Sequence, residues 1–167
     1  MKRFLATLVL IPTAVALTGQ ANLPKRKAGL WEITMTIDGN KIPMPTAKMC
    51  IDAATDAEFY KVGTGMAQSA CSKRDIQVNG NVVTVDSICS FNGSRTSTTH
   101  ATTTFAGDSA YRTEAKIHYE PPLMNKSDTE VAQDGKWVGA CAADMQPGDI
   151  VMPGGVKLNV KDMHTQQ

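Results

Sequence analysis

The chain has 167 residues, and its 17 Lys and Arg against 16 Asp and Glu give a net charge of +1. A chain so close to neutral gives no electrostatic reason to expect a nucleic acid or an anionic membrane surface as a partner. Its length is that of a single domain that can bury a core.

The N-terminus has the pattern of a secretory signal peptide. Lys2 and Arg3 precede a short apolar run, and small residues follow up to Ala21. The run is too short for a typical membrane span. We predict a signal peptide at 1–21 that is cut after Ala21, with Ala16 as the alternative; an N-terminal helix of the domain is the other interpretation. Residues 22–167 are then one β-rich domain of an exported protein with no transmembrane segment.

In the stretch from Ala28 to Asp38, large apolar side chains alternate strictly with mainly polar ones. Such alternation is typical of a strand with one buried and one wet face. The polar, basic segment before it, Asn22 to Lys27, is predicted to be a loose lead-in. The residues on the predicted buried face are Trp31, Ile33, Met35 and Ile37.

A proline-containing segment, Lys41 to Ile51, follows this strand. Because proline cannot donate a ladder hydrogen bond, the segment is predicted to be an edge strand or an irregular arm. Next, Thr55 and Glu58 have the spacing of a capping box. This spacing predicts a short helix over about 53–62, with Thr55 as its cap.

The rest of the chain has the pattern of successive antiparallel hairpins. Asn79-Gly80, Asn92-Gly93 and Gly107-Asp108 are turn signals between stretches of strand-forming residues. Pro121-Pro122 is predicted to stop a strand and begin a loop, and Asp134-Gly135 to form a turn or a bulge. The predicted strands cover 75–80, 81–91, 95–105, 110–120, 129–133 and 136–141.

The C-terminal segment, 142–167, contains two Pro-Gly pairs and is predicted to pack on the domain as a turn-rich tail with one short strand at 156–160. The complete pattern predicts a mainly β fold. We expect an antiparallel curved meander that forms a barrel or half-barrel of the lipocalin kind, with one short helix near the N-terminus. A flatter sheet with the helix packed on it is the alternative.

The four cysteines, Cys50, Cys71, Cys89 and Cys141, all follow the predicted signal peptide. An even number in a secreted chain indicates two disulfides, and four cysteines can pair in three ways. We favour Cys50–Cys71 with Cys89–Cys141, because the first two flank one local excursion of the chain. The wide spacing and the lack of a CxxC pair argue against zinc.

No motif indicates an enzyme. A Ser or Cys nucleophile needs a neighbouring base, and the chain has His100, His118 and His164 but no Gly-x-Ser-x-Gly motif. With Gly107-Asp108 as a two-residue loop, His100 would face Ala115 and His118 would lie on the opposite face of the sheet. We therefore expect no catalytic residues. Only a slipped register or an odd-length loop would bring His100 and His118 together as a metal pair.

Two other residue types could bind metal ions. Asp144 and Asp149 flank Pro147-Gly148 and could suit Ca²⁺, but turn chemistry explains them more simply. Thioethers bind Cu(I), but the methionines are spread along the chain, which favours a role in the core or in a pocket. We expect no metal and no cofactor. The methionines after the predicted signal peptide are Met35, Met44, Met49, Met66, Met124, Met145, Met152 and Met163.

The predicted buried strand faces could enclose a small interior. Small barrels fill that space with side chains, whereas roomier ones hold a ligand. The chain has few Phe and Leu and many Thr and Met, which favours a partly open and adaptable interior. Val83 and Val85 belong to the same predicted faces. The candidate ligand-binding residues are Trp31, Met35, Tyr111 and Ile117.

A shared pattern is carried by five segments, Lys27 to Met35, Met49 to Asp52, Gly135 to Cys141, Pro147 to Asp149 and Met152 to Gly155. Together these segments resemble domain-of-unknown-function family 3617. The resemblance implies a bacterial envelope protein located in the periplasm, and it implies no activity. We therefore expect a non-enzymatic binding or envelope-accessory module for a small apolar ligand. The alternative is an interaction protein that docks on another envelope component through its Pro-rich arm or its C-terminal tail.

Overall fold

A computed structural model of the chain describes residues 23–38, 46–65, 71–91 and 94–164. The predicted signal peptide at 1–21, the turn at Asn92-Gly93, and Pro43 and Pro45 of the predicted arm lie outside the described residues. No helix in the described part of the chain is long and apolar enough to cross a membrane.

The described residues form one antiparallel sheet of nine strands, with a single α-helix near its start. The strand order is β3-β4-β5-β6-β7-β1-β2-β8-β9, so the sheet stays open between its edge strands. This confirms the mainly β fold and fits a curved meander or half-barrel. The elements are β1 Gly29–Ile37, β2 Ala47–Ile51, α1 Ala53–Gly65, β3 Cys71–Asn79, β4 Val82–Phe91, β5 Arg95–Ala106, β6 Ala110–Leu123, β7 Lys126–Gly139, β8 Asp149–Val151, β9 Lys157–Asn159 and a 3-10 helix, Asp162–His164.

Strand β1 lies in the interior of the sheet between β7 and β2, as its central role in the sequence pattern suggested. Trp31 is fully buried and pairs with Trp137 on one side and Met49 on the other. Burial of apolar surface at such a position is the main source of stability in a domain of this size. The buried core cluster is Trp31, Met49, Ile51, Val83, Phe105 and Tyr111.

The helix forms where it was predicted, but a different residue caps it. Asp52 precedes the first helical residue, and its Oδ1 accepts a hydrogen bond of 2.8 Å from the Thr55 backbone N–H. The Thr55 hydroxyl in turn accepts a 2.9 Å bond from the Asp52 N–H. This is a reciprocal capping box with Thr55 in the third helical position rather than at the cap. The predicted cap at Thr55 was wrong because the helix begins at Ala53, so the N-cap is Asp52 and Thr55 lies inside the first turn.

Strands β6 and β7 are longer than predicted. Neither the stop predicted at Pro121-Pro122 nor the turn predicted at Asp134-Gly135 occurs. Strand β6 continues through Pro121-Pro122, where its pairing with β7 becomes irregular between His118 and Leu123. Proline is tolerated in a sheet at such an irregularity. Met124 and Asn125 form the tight turn, with φ of 50° and 63°, as a two-residue turn with positive φ at both positions requires. The loop predicted after the prolines is therefore a hairpin.

Two other predictions about the order of strands are corrected. Strand β2 lies between β1 and β8, so it is not an edge strand. The C-terminal segment forms two short strands rather than one, and β8 and β9 extend the sheet beyond β2. Both corrections have the same cause, because β8 pairs with β2 and covers the edge that β2 would otherwise expose.

The disulfides join different cysteines from those that we favoured. Cys71 pairs with Cys89, its register partner across the β3–β4 hairpin. Cys50 pairs with Cys141, 91 residues away. Leu30 of β1 lies between Cys50 on β2 and Gly139 near the end of β7. The second disulfide therefore joins β2 to the segment just after β7, across β1, which no local spacing could reveal.

The β5–β6 hairpin also differs from the prediction by one residue. Ala106 pairs with Ala110, so the loop is Gly107–Ser109 and has three residues rather than two. In this register His100 faces Lys116, and His118 faces Thr98. Because side chains alternate faces along a strand, His100 and His118 lie on the same face of the sheet. The prediction that they lie on opposite faces was wrong, since it depended on a two-residue loop.

Candidate functional site

One face of the sheet, here called the apolar face, carries the core at one end. The rings of Trp31 and Tyr111 have centroids 5.7 Å apart, and those of Phe105 and Tyr111 are 5.8 Å apart. Phe59 and Tyr60 of α1 pack against this cluster. Two of the predicted ligand-binding residues, Trp31 and Tyr111, are therefore in contact with each other and at most 8% exposed. At this end of the sheet they fill the core.

The segment Leu23–Ala28, here called the N-terminal strap, is held against the core by aromatic side chains. The Trp31 indole N–H donates to the Lys27 carbonyl at 2.8 Å, and the Trp137 indole N–H donates to the Ala28 carbonyl at 2.9 Å. The Tyr60 hydroxyl donates to the Pro24 carbonyl at 3.1 Å. Over these described residues the prediction of a loose lead-in was wrong, because polar groups on aromatic rings satisfy the backbone of the strap.

Arg26 of the strap is a buried cation surrounded by aromatic rings. Its guanidinium carbon lies 5.6 to 6.0 Å from the ring centroids of four aromatic residues, within the range of cation–π attraction. Arg26 Nε also donates to Asp56 Oδ1 at 2.7 Å, and the two side chains are 9% and 6% exposed. The rings belong to Trp31, Phe59, Tyr60 and Tyr111.

Burial also keeps the two tyrosines of this cage neutral. It raises the pKa of Tyr60 to about 12, although the nearby Arg26 charge opposes the shift. Burial likewise raises the pKa of Tyr111. Sequence reasoning missed the cage, because a single arginine in a polar segment has no periodic pattern that marks it as buried.

A polar seam crosses the apolar face next to the core. The hydroxyls of Thr103 and Thr113 are 2.8 Å apart and hydrogen-bonded. Gln133 Nε2 donates to the Tyr111 hydroxyl at 2.9 Å. These residues lie in neighbouring registers of β5, β6 and β7. The seam satisfies the polar atoms at the edge of the core.

A row of apolar side chains, here called the apolar row, crosses six strands. Its members on β4 and β3, Val85 and Ile76, pack against the core cluster, and from β5 to β1 the row lies beyond the seam. Each member is the register partner of the next. Five members are half-buried, and Ile37 is 37% exposed. An apolar face that continues past a filled core is a surface on which an apolar group can bind. The apolar row consists of Ile37, Val131, Ala115, Ala101, Val85 and Ile76.

The other two predicted ligand-binding residues lie beside the apolar row. Met35 precedes Ile37 by two residues, Ile117 follows Ala115 by two, and both side chains are half-buried. At about 3.3 Å per residue, Ile117 lies about 20 Å from Tyr111 along β6. The structure thus divides the four candidates into a core pair, Trp31 and Tyr111, and an outer pair, Met35 and Ile117.

The opposite, polar face of the sheet carries cross-strand ion pairs. Arg112 Nη1 lies 2.8 Å from Asp134 Oδ2, and Lys116 Nζ lies 3.6 Å from Glu130 Oε1. A cavity of about 390 Å³ near these pairs is lined mainly by Thr36, Ala132 and the charged side chains. Exposed pairs of this kind contribute little to stability. The charged lining suits a polar molecule better than an apolar one.

The predicted acidic pair in the tail is explained by turn chemistry. Asp149 is 8% exposed, and its carboxylate accepts 2.8 Å hydrogen bonds from the Gln146 N–H and from Asn159 Nδ2. These bonds, together with nearby Lys157, hold the pKa of Asp149 below its ordinary value. Among the described residues, no group of three or more His, Cys, Asp or Glu is arranged to hold a metal ion.

Comparison with known proteins identifies a family. A family described as "Protein of unknown function (DUF3617)" matches residues 26–141. No curated protein and no solved structure matches the chain. The matched region begins at Arg26 of the strap and ends at Cys141, so it includes both disulfides, the core and the apolar row.

Proposed function

This chain belongs to the DUF3617 family of proteins of unknown function, and we propose that it is an exported, non-enzymatic module that binds a small apolar ligand along the apolar row. The observation that carries the proposal is the continuation of the apolar face beyond the filled core. Met35 and Ile117 flank the row and are half-buried rather than packed in the core cluster. Methionine has a flexible side chain that is suited to adaptable apolar contacts.

Export to the periplasm is supported by the cysteines. All four are paired in two disulfides, and the described structure has no free thiol. Disulfides persist in oxidising compartments such as the bacterial periplasm. The predicted signal peptide at 1–21 agrees with an exported protein.

The binding proposal can be tested with an environment-sensitive apolar dye. We expect the folded, oxidised protein to bind the dye at about one site, and fatty acids to displace it. Met35→Gln and Ile117→Thr should each weaken dye binding several-fold, because they place polar groups beside the row. Lys116→Gln is the matched control, since Lys116 adjoins Ile117 in sequence but faces the opposite side of the sheet.

Two results of the dye experiment would contradict binding at the apolar row. Dye binding that occurs only when the protein unfolds would show that the apolar row offers no site. An equal loss in Lys116→Gln and Ile117→Thr would place the dye away from the row. Unchanged tryptophan fluorescence, from Trp31 in the core and Trp137 packed against it, would verify that the variants remain folded.

A docking protein is the second candidate, favoured by exposed apolar residues in the tail. Met152 is 42% exposed, Val156 59% and Leu158 45%, all in or beside the β8–β9 hairpin at the sheet edge. Exposed apolar side chains on a strand edge are suited to pairing with a partner. A photo-crosslinking residue at Leu158 in cells should then yield one specific adduct, and the same residue at the exposed position Asp108 should not.

A further inference from the structure

The two histidines of the β5–β6 hairpin are neighbours on the polar face. His100 faces Lys116, and His118 faces Thr98, so the histidines occupy a diagonal position two residues apart in register. Diagonal neighbours in an antiparallel pair lie about 7–8 Å apart, within reach of long or aromatic side chains. Their side chains are 58% and 48% exposed, so a solute can reach both rings.

Each histidine is held by a carboxylate on the strand away from the other histidine. His100 Nδ1 lies 2.7 Å from Asp86 Oδ1, and Asp86 is its register partner on β4. His118 Nδ1 lies 2.8 Å from Asp128 Oδ1, and Asp128 is its register partner on β7. Across the sheet the order is therefore carboxylate, imidazole, imidazole, carboxylate.

We propose that His100 and His118 form a surface site for a divalent transition-metal ion, bound through the Nε2 atoms of both rings. Because a carboxylate engages Nδ1 of each ring, Nε2 is the nitrogen of each histidine that is left to bind a metal ion. Metal-binding histidines commonly donate their other N–H to a carboxylate, which fixes the tautomer and raises the basicity of the ligand.

The surrounding charges and the ligand number identify the class of metal. Lys116, which faces His100, lies 3.6 Å from Glu130 on β7, so an acidic side chain offsets its charge. Glu120 Oε2 lies 3.7 Å from His118 Nε2 and adds a negative charge beside the site. Since no group of three or more ligands converges among the described residues, two imidazoles and water would complete the coordination. Mixed nitrogen and oxygen ligands of this kind suit Cu²⁺ or Ni²⁺.

The site is independent of the proposed apolar ligand, because it lies on the other face of the sheet. It can be tested by titrating the folded, oxidised protein with Cu²⁺ and recording the heat of binding and the electron paramagnetic resonance spectrum. We expect one ion per chain, with hyperfine splitting from two nitrogens. His100→Gln and His118→Gln should each remove the two-nitrogen signal and weaken binding. Asp86→Asn should leave the signal but lower the affinity by about 10- to 100-fold.

The third histidine provides the matched control. His164 lies in the 3-10 helix outside the sheet, so His164→Gln should leave the affinity and the spectrum unchanged. Binding that survives in both His100→Gln and His118→Gln, or that His164→Gln removes, would overturn the proposal. A signal from only one nitrogen in the unmodified protein would also overturn it.

Discussion

Gly135 lies directly beneath the ring of Tyr111. A Cβ atom added to Gly135 would come within 2.1 Å of Tyr111 Cε1 and 2.4 Å of Cζ, so any side chain at this position would force the ring to move. The two residues are register partners on β7 and β6, and both are buried. Gly135 therefore serves as a platform for the ring, not as the turn that Asp134-Gly135 suggested from sequence.

Gly135→Ala should destabilise the protein by about 1–3 kcal/mol, because the methyl group forces the Tyr111 ring out of its packed position. The free energy of unfolding in urea would measure the loss. In a Tyr111→Ala background the same change should cost much less, since the clash is absent and neighbouring substitutions are not additive. An equal cost in both backgrounds would mean that Gly135 acts through backbone freedom alone.

Asp56→Asn should destabilise the protein by about 3–5 kcal/mol, because it leaves the buried Arg26 cation without its partner. Replacing both members, with Arg26→Met and Asp56→Ala, should recover part of the loss, since a buried ion pair can be exchanged for apolar groups. The exposed pair of Arg112 and Asp134 is the control, and its loss should cost no more than about 1 kcal/mol. Equal effects at the two pairs would contradict a buried role for Arg26.

Peptide mapping without reduction should find Cys50 joined to Cys141 and Cys71 joined to Cys89. Replacing Cys50 and Cys141 together by alanine should lower the free energy of unfolding by about 4–5 kcal/mol, against about 3 kcal/mol for Cys71 and Cys89. The difference arises because the first disulfide closes a loop of 91 residues and the second a loop of 18. A peptide joining Cys50 to Cys71 would show that the chain pairs in the other way.

The stability of the protein should fall in acid, in part through Asp149. Its pKa in the folded protein is lowered, first by the Gln146 N–H and then by Asn159. A lowered carboxyl pKa stabilises the folded state above the unfolded pKa of about 3.9, and this contribution is lost as the pH falls through the folded pKa. Urea unfolding at a series of pH values should therefore show Asp149→Asn less stable than the unmodified protein at pH 7.

That difference should shrink in acid, when the carboxylate of the unmodified protein also becomes neutral. Asn159→Ala removes one of the two hydrogen-bond donors and should bring the acid transition closer to the unfolded pKa. A constant difference between Asp149→Asn and the unmodified protein at every pH would mean that the titration of Asp149 is not linked to folding.

The sequence predicted the strands better than their ends. Alternation over Ala28 to Asp38 identified β1 and the buried position of Trp31, because the period of a strand is a local property of the chain. The same reasoning failed at Pro121-Pro122 and Asp134-Gly135, where residues typical of turns lie inside long strands. The irregular pairing of β6 with β7 accommodates the prolines, and the Tyr111 ring packs over Gly135. Both features depend on neighbouring strands.

The candidate site shows the same division. Sequence reasoning placed Met35 and Ile117 on inward faces together with Trp31 and Tyr111. It could not show that the strap and the helix cover Trp31 and Tyr111 and leave the other two outside the core. It also placed His100 and His118 on opposite faces, although one additional loop residue puts them side by side.

By itself, then, the sequence determined the fold class, the residues that form β1 and the presence of two disulfides. Each of these depends on composition or on a period within one segment. The tertiary structure alone decided the disulfide pairing, the burial of Arg26 and the faces on which the histidines lie. These features depend on which strands become neighbours and in which register, and a shift of a single residue in register moves every side chain of a strand to the other face.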